Sequence, residues 1–336
     1  MANRVTIAID AMGGENSPNK IFDAIKISLK KNKNNYFHLF GKENLLKDTI
    51  QKNKEISDYC KIINCEDVIG DEESPFTAAK KGKNTSMWKS IESQKNGGAD
   101  ISLSAGNTGA LLIVSRLILN CIDGINKPAL AGLWPNKKNM SIVLDLGANI
   151  EYDEKTLVNF SSMGSALFKS LFEKKIPKVA LLNIGLEEHK GNDILKRTST
   201  ILKNKDLKNF EFCGYVEGNQ ITRGEIDVIV TDGFTGNIAL KTAEGTANFI
   251  TSELKKAMKS SIIGKISGLL AYSNLNQFKK RLDPRLYNGA IFIGLDSPVI
   301  KSHGSTDYIG FSNSLNVCEK IIKGNLIDKI KKNISQ

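Results

Sequence analysis

Residues 227–241 read Asp-Val-Ile-Val-Thr-Asp-Gly-Phe-Thr-Gly-Asn-Ile-Ala-Leu-Lys. The apolar run from Ile226 to Val230 predicts a short buried strand, and a polar glycine turn follows it. A helix then enters at Thr235-Gly236-Asn237 and continues through Ala239, Leu240 and Ala243. A strand, a tight turn and a helix in that order aim unpaired backbone N–H groups at the space above the strand. Those donors and the helix dipole together stabilise an anion. Gly233 and Gly236 let the backbone approach a ligand, or take a positive φ, without a Cβ clash.

The same plan occurs earlier in the chain. Residues 100–111 read Asp-Ile-Ser-Leu-Ser-Ala-Gly-Asn-Thr-Gly-Ala-Leu. Asp100, Ser104, Gly106, Thr108 and Gly109 stand at the offsets of Asp227, Thr231, Gly233, Thr235 and Gly236. Gly, Ser, Thr and Asn fill most turns, but so many coincidences in register exceed shared turn chemistry. The chain reads as two related halves, each presenting an anion-binding helix N-terminus.

Strands alternate with helices on either side of these turns. Val5 to Asp10 is a strand running into Gly13-Gly14, and Pro18 opens an amphipathic helix with Ile21, Phe22, Ile25 and Leu29 on one face. Asp10 either contacts a ligand at the strand's carboxyl end or caps the next helix. Tyr36–Phe40 and the region of Ile62 are further strands, Glu66–Pro75 is an acidic loop, and Thr77–Trp88 begins a helix carrying Lys80, Lys81 and Lys83. Lys127–Ala131 is a strand, Ser141 to Asp145 another, and the latter leads to Gly147 and Asn149. A long helix spans Thr156–Phe172, and strand Lys178–Asn183 precedes a loop with Lys190 and Gly191. Lys190 is either presented to a ligand or a surface lysine. Strands at 289–295 and 298–301 close the set, the second ending in Lys301-Ser302-His303-Gly304. This alternation predicts a mostly parallel sheet covered on both faces, with every glycine turn at a strand's carboxyl end and all of them converging on one crevice. Segment 253–283 stands apart: Leu254, Met258, Ile262, Ile266 and Leu269 form an apolar stripe beside Lys255, Lys256, Lys259 and Lys265. It reads as a helical hairpin for a second subunit, as a basic amphipathic element for anionic lipid, or as both.

Composition removes several function classes. The chain has 336 residues, 40% hydrophobic and 25% charged, the profile of a globular domain with a large core. The net charge of +11 comes mainly from lysine, aromatic residues are 7%, and no nucleic-acid module is visible, so nucleic acid is not an expected partner. Cys60, Cys65, Cys121, Cys213 and Cys318 are scattered without Cys-x-x-Cys spacing, which argues against zinc and a disulfide framework. The first ten residues read as a strand, not as the apolar region of a signal peptide, so the expected location is cytoplasmic.

Asp10-Ala-Met-Gly-Gly14, Ser104-Ala-Gly-Asn-Thr-Gly-Ala-Leu111, Leu144-Asp-Leu-Gly-Ala-Asn149, Leu182-Asn-Ile-Gly185, Lys190-Gly191, Thr231-Asp-Gly-Phe-Thr-Gly-Asn237, Leu240-Lys241 and Ile300-Lys-Ser-His-Gly304 occur in that order. Together they resemble the bacterial acyl-carrier-protein:phosphate acyltransferases, the fatty-acyl phosphate synthases of phospholipid synthesis. The chain departs from that family pattern at Glu15 and Lys80. The resemblance implies an α/β fold of three layers, α/β/α, with a mostly parallel mixed sheet in two intertwined pseudo-repeat halves, like the phosphate acetyltransferases and isopropylmalate dehydrogenases. It implies one catalytic unit over residues 1–336 with 253–283 protruding from it. A homodimer, peripheral contact with the inner face of an anionic membrane, a downstream glycerol-phosphate acyltransferase, and no cofactor or metal are implied as well.

The implied reaction is attack of inorganic phosphate on the thioester of a long-chain acyl carrier protein. Phosphate is the nucleophile, so no activated Ser or Cys is required. On this reading Lys190, Asp232, Asn237, Lys301 and His303 are catalytic. Asp10, Gly13, Gly14, Ser104, Gly106, Asn107, Thr108, Asp145, Asn149, Gly191, Gly233, Thr235, Gly236 and Lys241 bind substrate. Two alternatives remain: a phosphate acetyl- or butyryltransferase-like enzyme using coenzyme A thioesters, and a non-catalytic membrane-docked scaffold. A dehydrogenase lacks its fingerprint, since no Gly-x-Gly-x-x-Gly follows the first strand.

Overall fold

The computed structural model describes residues 4–172 and 176–334; residues 1–3, part of the stretch read for a leader, lie outside them. The first half runs β1 (Val5–Asp10), α1 (Asn19–Lys31), β2 (Asn35–Gly41), α2 (Glu43–Gln51), β3 (Cys60–Asn64), α3 (Pro75–Lys81), α4 (Ser86–Lys95), β4 (Ile101–Ser104) and α5 (Thr108–Leu119). A hairpin of β5 (Ala129–Pro135) and β6 (Met140–Leu144) leads to α6 (Glu154–Phe172), β7 (Lys178–Leu182), α7 (Asp193–Asn204), β8 (Glu211–Val216), β9 (Val228–Val230) and α8 (Gly233–Lys259). Then come α9 (Ile262–Leu270), α10 (Tyr272–Arg281), β10 (Ala290–Ile293), β11 (Val299–Lys301), α11 (Tyr308–Lys323) and α12 (Leu326–Ile334).

The strands form one 11-stranded sheet in the order β3-β2-β1-β4-β11-β10-β5-β6-β9-β7-β8. Alternate strand residues enter opposite cores, as the period of 2 requires. Val228 and Val230 face the layer of α1, α6, α11 and α12, while Ile229 faces that of α4, α5 and α8. The expected three layers are present. The halves are intertwined because β10 and β11 return, after the second half is complete, to sit between β4 and β5.

Strand direction decides where the turns open. β3, β2, β1, β4 and β11 are mutually parallel. From β11 the sheet passes through three antiparallel pairings, β11 with β10, β10 with β5 and β5 with β6. An odd number of reversals turns the second block, β6, β9, β7 and β8, opposite to the first. The expected convergence of all glycine turns on one crevice therefore does not occur within one chain. Turns after β1, β4 and β11 open at one edge of the sheet; those after β6, β7 and β9 open at the other.

The repeat is partial for a related reason. Each half pairs its aspartate strand with its Thr-Gly strand, β1 with β4 and β6 with β9. In the first half the aspartate strand β1 is the inner neighbour of β2, whereas in the second the Thr-Gly strand β9 takes that place beside β7. The helix expected from Thr77 to Trp88 is two helices. Gly82, at φ +58°, ends α3, and Thr85 caps α4 by accepting from Trp88 N.

Helices α8, α9 and α10 carry the protruding segment. No residue of α9 or α10 is buried, and Ile262, Ile263, Leu269 and Leu270 are each at least 76% exposed. A Cβ on Gly264 would stand 3.1 Å from Met258 O, and one on Gly268 3.5 Å from Met258 Cβ. Those glycines fold α9 back onto the end of α8 as a hairpin. Among the described residues no helix is long and apolar enough to cross a membrane.

Candidate functional site

At the first edge Asp10 ends β1 and is 2% exposed. Its Oδ1 accepts from Ser86 Oγ at 2.6 Å and Met12 N at 3.3 Å, and its Oδ2 accepts from Ser104 Oγ at 2.7 Å. Burial raises the Asp10 pKa while these bonds oppose the rise. A Cβ on Gly13 would lie 2.6 Å from Gly106 N, so glycine is what allows the two turns to touch. Gly14, at φ +79°, faces Gly304 O at 2.8 Å in the same sense. Asp10, Gly13, Gly14, Ser104, Gly106 and the turn after β11 are thus one packed unit.

Above this unit lie the cations and donors. Lys301 ends β11 and is 9% exposed; its Nζ donates to Ala105 O at 3.3 Å and to Ser302 O. Burial pushes its pKa down to about 8, helped by Lys20 and Lys241 and opposed by Asp71 and Asp10. His303 is held by Asn288, whose Oδ1 accepts from His303 N at 2.9 Å, and its Nδ1 is 3.0 Å from Ser305 Oγ. That contact leaves Nε2 for a substrate. The ring reaches solvent, yet neighbouring atoms strip enough water to lower its pKa, and Lys241 lowers it further. Neutral imidazole prevails at neutral pH. Asn107 caps α5 by accepting from Ala110 N at 3.0 Å, and its Nδ2 donates to Asp71 O at 2.7 Å, tying down the acidic loop. Thr108 and Gly109 N–H groups lie in the first helical turn, where no intrahelical carbonyl meets them.

The second edge is built differently. Asp145, fully buried, accepts at Oδ1 from Leu130 N, Gly147 N and Ala148 N at 3.0–3.1 Å. Its Oδ2 accepts from Asn149 N at 2.7 Å and Asn149 Nδ2 at 2.8 Å. That carboxylate is fully engaged in holding its own turn. A Cβ on Gly236 would stand 1.9 Å from Asp145 O, and one on Gly233 2.4 Å from Asn149 O. Both glycines let the backbone pack against the 145–149 turn. Asp232 caps α8, accepting from Thr235 N at 2.9 Å, and Asn237 Nδ2 donates to Leu146 O at 3.3 Å. Lys190 and Gly191 sit in an exposed loop braced by Asn183, whose Nδ2 donates to Gly185 O and Lys190 O.

Neighbouring strands lie about 4.8 Å apart, so the five pairings from β11 to β7 put Lys301 roughly 24 Å from the Lys190 loop across the sheet. The structure therefore brings together Asp10, Gly13, Gly14, Ser104, Gly106, Asn107, Thr108, Lys301 and His303. It groups Asp145, Asn149, Lys190, Gly191, Asp232, Gly233, Thr235, Gly236 and Asn237 apart from them. Lys241 is the exception: two turns into α8, paired with Glu244 at 2.7 Å, it lies close enough to depress both Lys301 and His303.

Sequence reasoning missed Ser86, Asn288 and Lys20. Ser86 follows a helix cap and Asn288 lies in a featureless loop, so neither carried a signal. The cysteines are not nucleophiles of this site: burial pushes Cys60 up to about 12 and Cys65 up to about 11.

A family model described as "Fatty acid synthesis protein" matches residues 5–329. The chain is 60% identical over 334 residues to a phosphate acyltransferase of Pelagibacter ubique, covering 99% of this chain and 100% of that one. It is 39% identical to a phosphate acyltransferase of Paramagnetospirillum magneticum, covering 99% of this chain and 94% of that one. Among solved structures, the EutD phosphotransacetylase from Staphylococcus aureus superposes with a TM-score of 0.61 at 16% identity, covering 96% of this chain and 94% of that one. A branched-chain phosphotransacylase from Enterococcus faecalis superposes with a TM-score of 0.58 at 16% identity, covering 94% and 98%. The structural likeness establishes a phosphotransacetylase fold. With the sequence relationship over the whole length, it follows that the chain belongs to the phosphate acyltransferase family and is an acyltransferase.

Proposed function

We propose that the protein transfers a long-chain fatty acyl group from acyl carrier protein to inorganic phosphate, giving an acyl phosphate for phospholipid synthesis. The observation carrying this reading is the first edge, where buried Lys301 donates to Ala105 O at the entry to α5 at 3.3 Å and acts electrostatically on His303 in the turn after β11. Phosphate held there attacks the thioester carbonyl carbon. Its remaining proton passes to His303 Nε2 as the carbon–oxygen bond forms, and the oxyanion is stabilised by the Thr108 and Gly109 N–H groups. The carbon–sulfur bond then breaks, and His303 returns the proton to the thiolate. Positioning supplies roughly 7–11 kcal/mol of such a barrier and oriented donors a few more.

Lys190, Asp232 and Asn237 join this chemistry only if a second copy supplies them. Exposed Ile150, Ile184, Leu186, Phe234 and Ile238 surround their edge, apolar surface suited to an isologous homodimer. In that arrangement the second edge of one protomer meets Lys301 of its partner. The bare helices α9 and α10, with apolar Ile262, Ile263 and Leu270 beside Lys279, Lys280 and Arg281, would rest on an anionic membrane, near the glycerol-phosphate acyltransferase that consumes the product.

The test is release of free carrier thiol by purified protein with and without inorganic phosphate, with hydroxylamine to trap acyl phosphate. Phosphate-dependent thiol release with trapped product supports the reading. Turnover with coenzyme A thioesters alone favours the phosphate acetyl- or butyryltransferase-like enzyme, and no turnover with either donor favours the scaffold.

A further inference from the structure

We propose that Lys20 is a second phosphate-binding cation of the first edge, acting beside Lys301. This rests on the phosphate reading above and extends it to a residue of α1 outside every motif. Lys20 is 4% exposed and Lys301 9%, so both ammonium groups have left bulk water. Lys20 Nζ donates to Gly304 O at 2.7 Å, while Lys301 Nζ donates to Ala105 O at 3.3 Å. Those two oxygens face one spot: a Cβ on Gly14 would stand 2.8 Å from Gly304 O and 3.0 Å from Ala105 O. Two elements, α1 and β11, thus carry the two cations to the turn that presents His303.

An ammonium has three N–H donors. The carbonyls occupy one on Lys20 and two on Lys301. Glu15 and Asp71 act on Lys20 through space, and Asp71 and Asp10 act on Lys301, but no carboxylate forms an ion pair with either lysine among the described residues. Two like charges within electrostatic reach of each other, desolvated and without a contacting counter-ion, are costly. A dianion seated between them removes that cost and takes up the free donors. Lys20 also has a bland reading, in which its bond to Gly304 O only anchors the His303 turn to α1. The two readings separate in substrate dependence: an anchor acts on both substrates, a phosphate ligand on one.

The experiment titrates inorganic phosphate alone into full-length wild type, Lys20→Met and Lys20→Arg, followed by calorimetry, with KM for phosphate and for acyl donor measured in parallel. Loss of one charge-assisted hydrogen bond predicts phosphate binding weakened about ten- to hundredfold in Lys20→Met. The donor KM should stay within about twofold, and Lys20→Arg should recover part of the phosphate affinity. Unchanged phosphate binding in a folded Lys20→Met protein overturns the proposal and leaves the phosphate reading standing, as does an equal rise in both KM values. Wild type that binds no phosphate overturns the phosphate reading itself. Should Lys20→Met fail to fold, Nζ resonances of 15N-lysine in wild type decide: Lys20 must shift with phosphate, and a Lys20 signal that stays still overturns the proposal.

Discussion

Raising the pH through 8 removes the cation the proposed site depends on, because burial holds Lys301 at about 8 instead of 10.5. Above that point each further pH unit leaves roughly one tenth as much charged Lys301. Between pH 8 and 9.5 kcat/KM for phosphate should therefore fall more than tenfold. Phosphate itself does not cause such a fall, since it only becomes more anionic as pH rises. The groups facing Lys301 are Asp71, Lys20, Asp10 and Lys241; burial lowers the pKa of Lys20 as well, so the Lys301→Arg profile is what assigns the limb to Lys301. Initial rates at varied phosphate, from pH 6.5 to 9.5, give the profile for wild type and for Lys301→Arg. Arginine keeps its charge throughout this range, so the falling limb should vanish in any active Lys301→Arg protein. A flat wild-type profile to pH 9.5, or the same limb in both proteins, refutes the assignment.

The same buried charge affects stability. Folding depresses the Lys301 pKa, so the unfolded chain binds more protons between about 8 and 10.5, and wild-type stability rises with pH across that window. Below it the full cost, on the order of 3 kcal/mol, is present; Lys301→Met should unfold later than wild type in urea at pH 7 and lose that advantage by pH 10. Gly236→Ala should destabilise by about 1–3 kcal/mol or more, because its Cβ would stand 1.9 Å from Asp145 O. Gly245→Ala, in α8 with nothing within 4 Å of the new Cβ, should stabilise by up to about 1 kcal/mol, both glycine variants being read by urea unfolding. If the homodimer completes the site, mixing inactive Lys301→Met with inactive Lys190→Ala should restore roughly a quarter of wild-type turnover, as random pairing of two protomers gives. No recovery on exchange of subunits counts against a shared site.

Much of the architecture was legible because period and punctuation coincide. β1 and β2 came within a residue of their observed ends, and α1 carries its stripe of Ile21, Phe22, Ile25 and Leu29 into the core. The reversal of the second block was not legible. It depends on β10 entering antiparallel between β11 and β5, a long-range pairing that no local pattern encodes. For the same reason it was not legible that the Asp232-to-Asn237 turn opens away from Lys301, or that its glycines let the 145–149 backbone approach. Lys20 was invisible for the opposite reason: an amphipathic helix normally solvates its lysines, and here the returning β11 turn takes the ammonium through Gly304 O.

On the proposed reading, phosphate sits at the first edge, between Lys301, His303 and the start of α5. Crystals soaked with tungstate, a heavy phosphate analogue, test it directly through anomalous scattering. A peak is expected within hydrogen-bond reach of Lys301 Nζ and the Thr108 and Gly109 N–H groups. A peak confined to the Asp232 and Lys190 edge, distant from any Lys301, would contradict it.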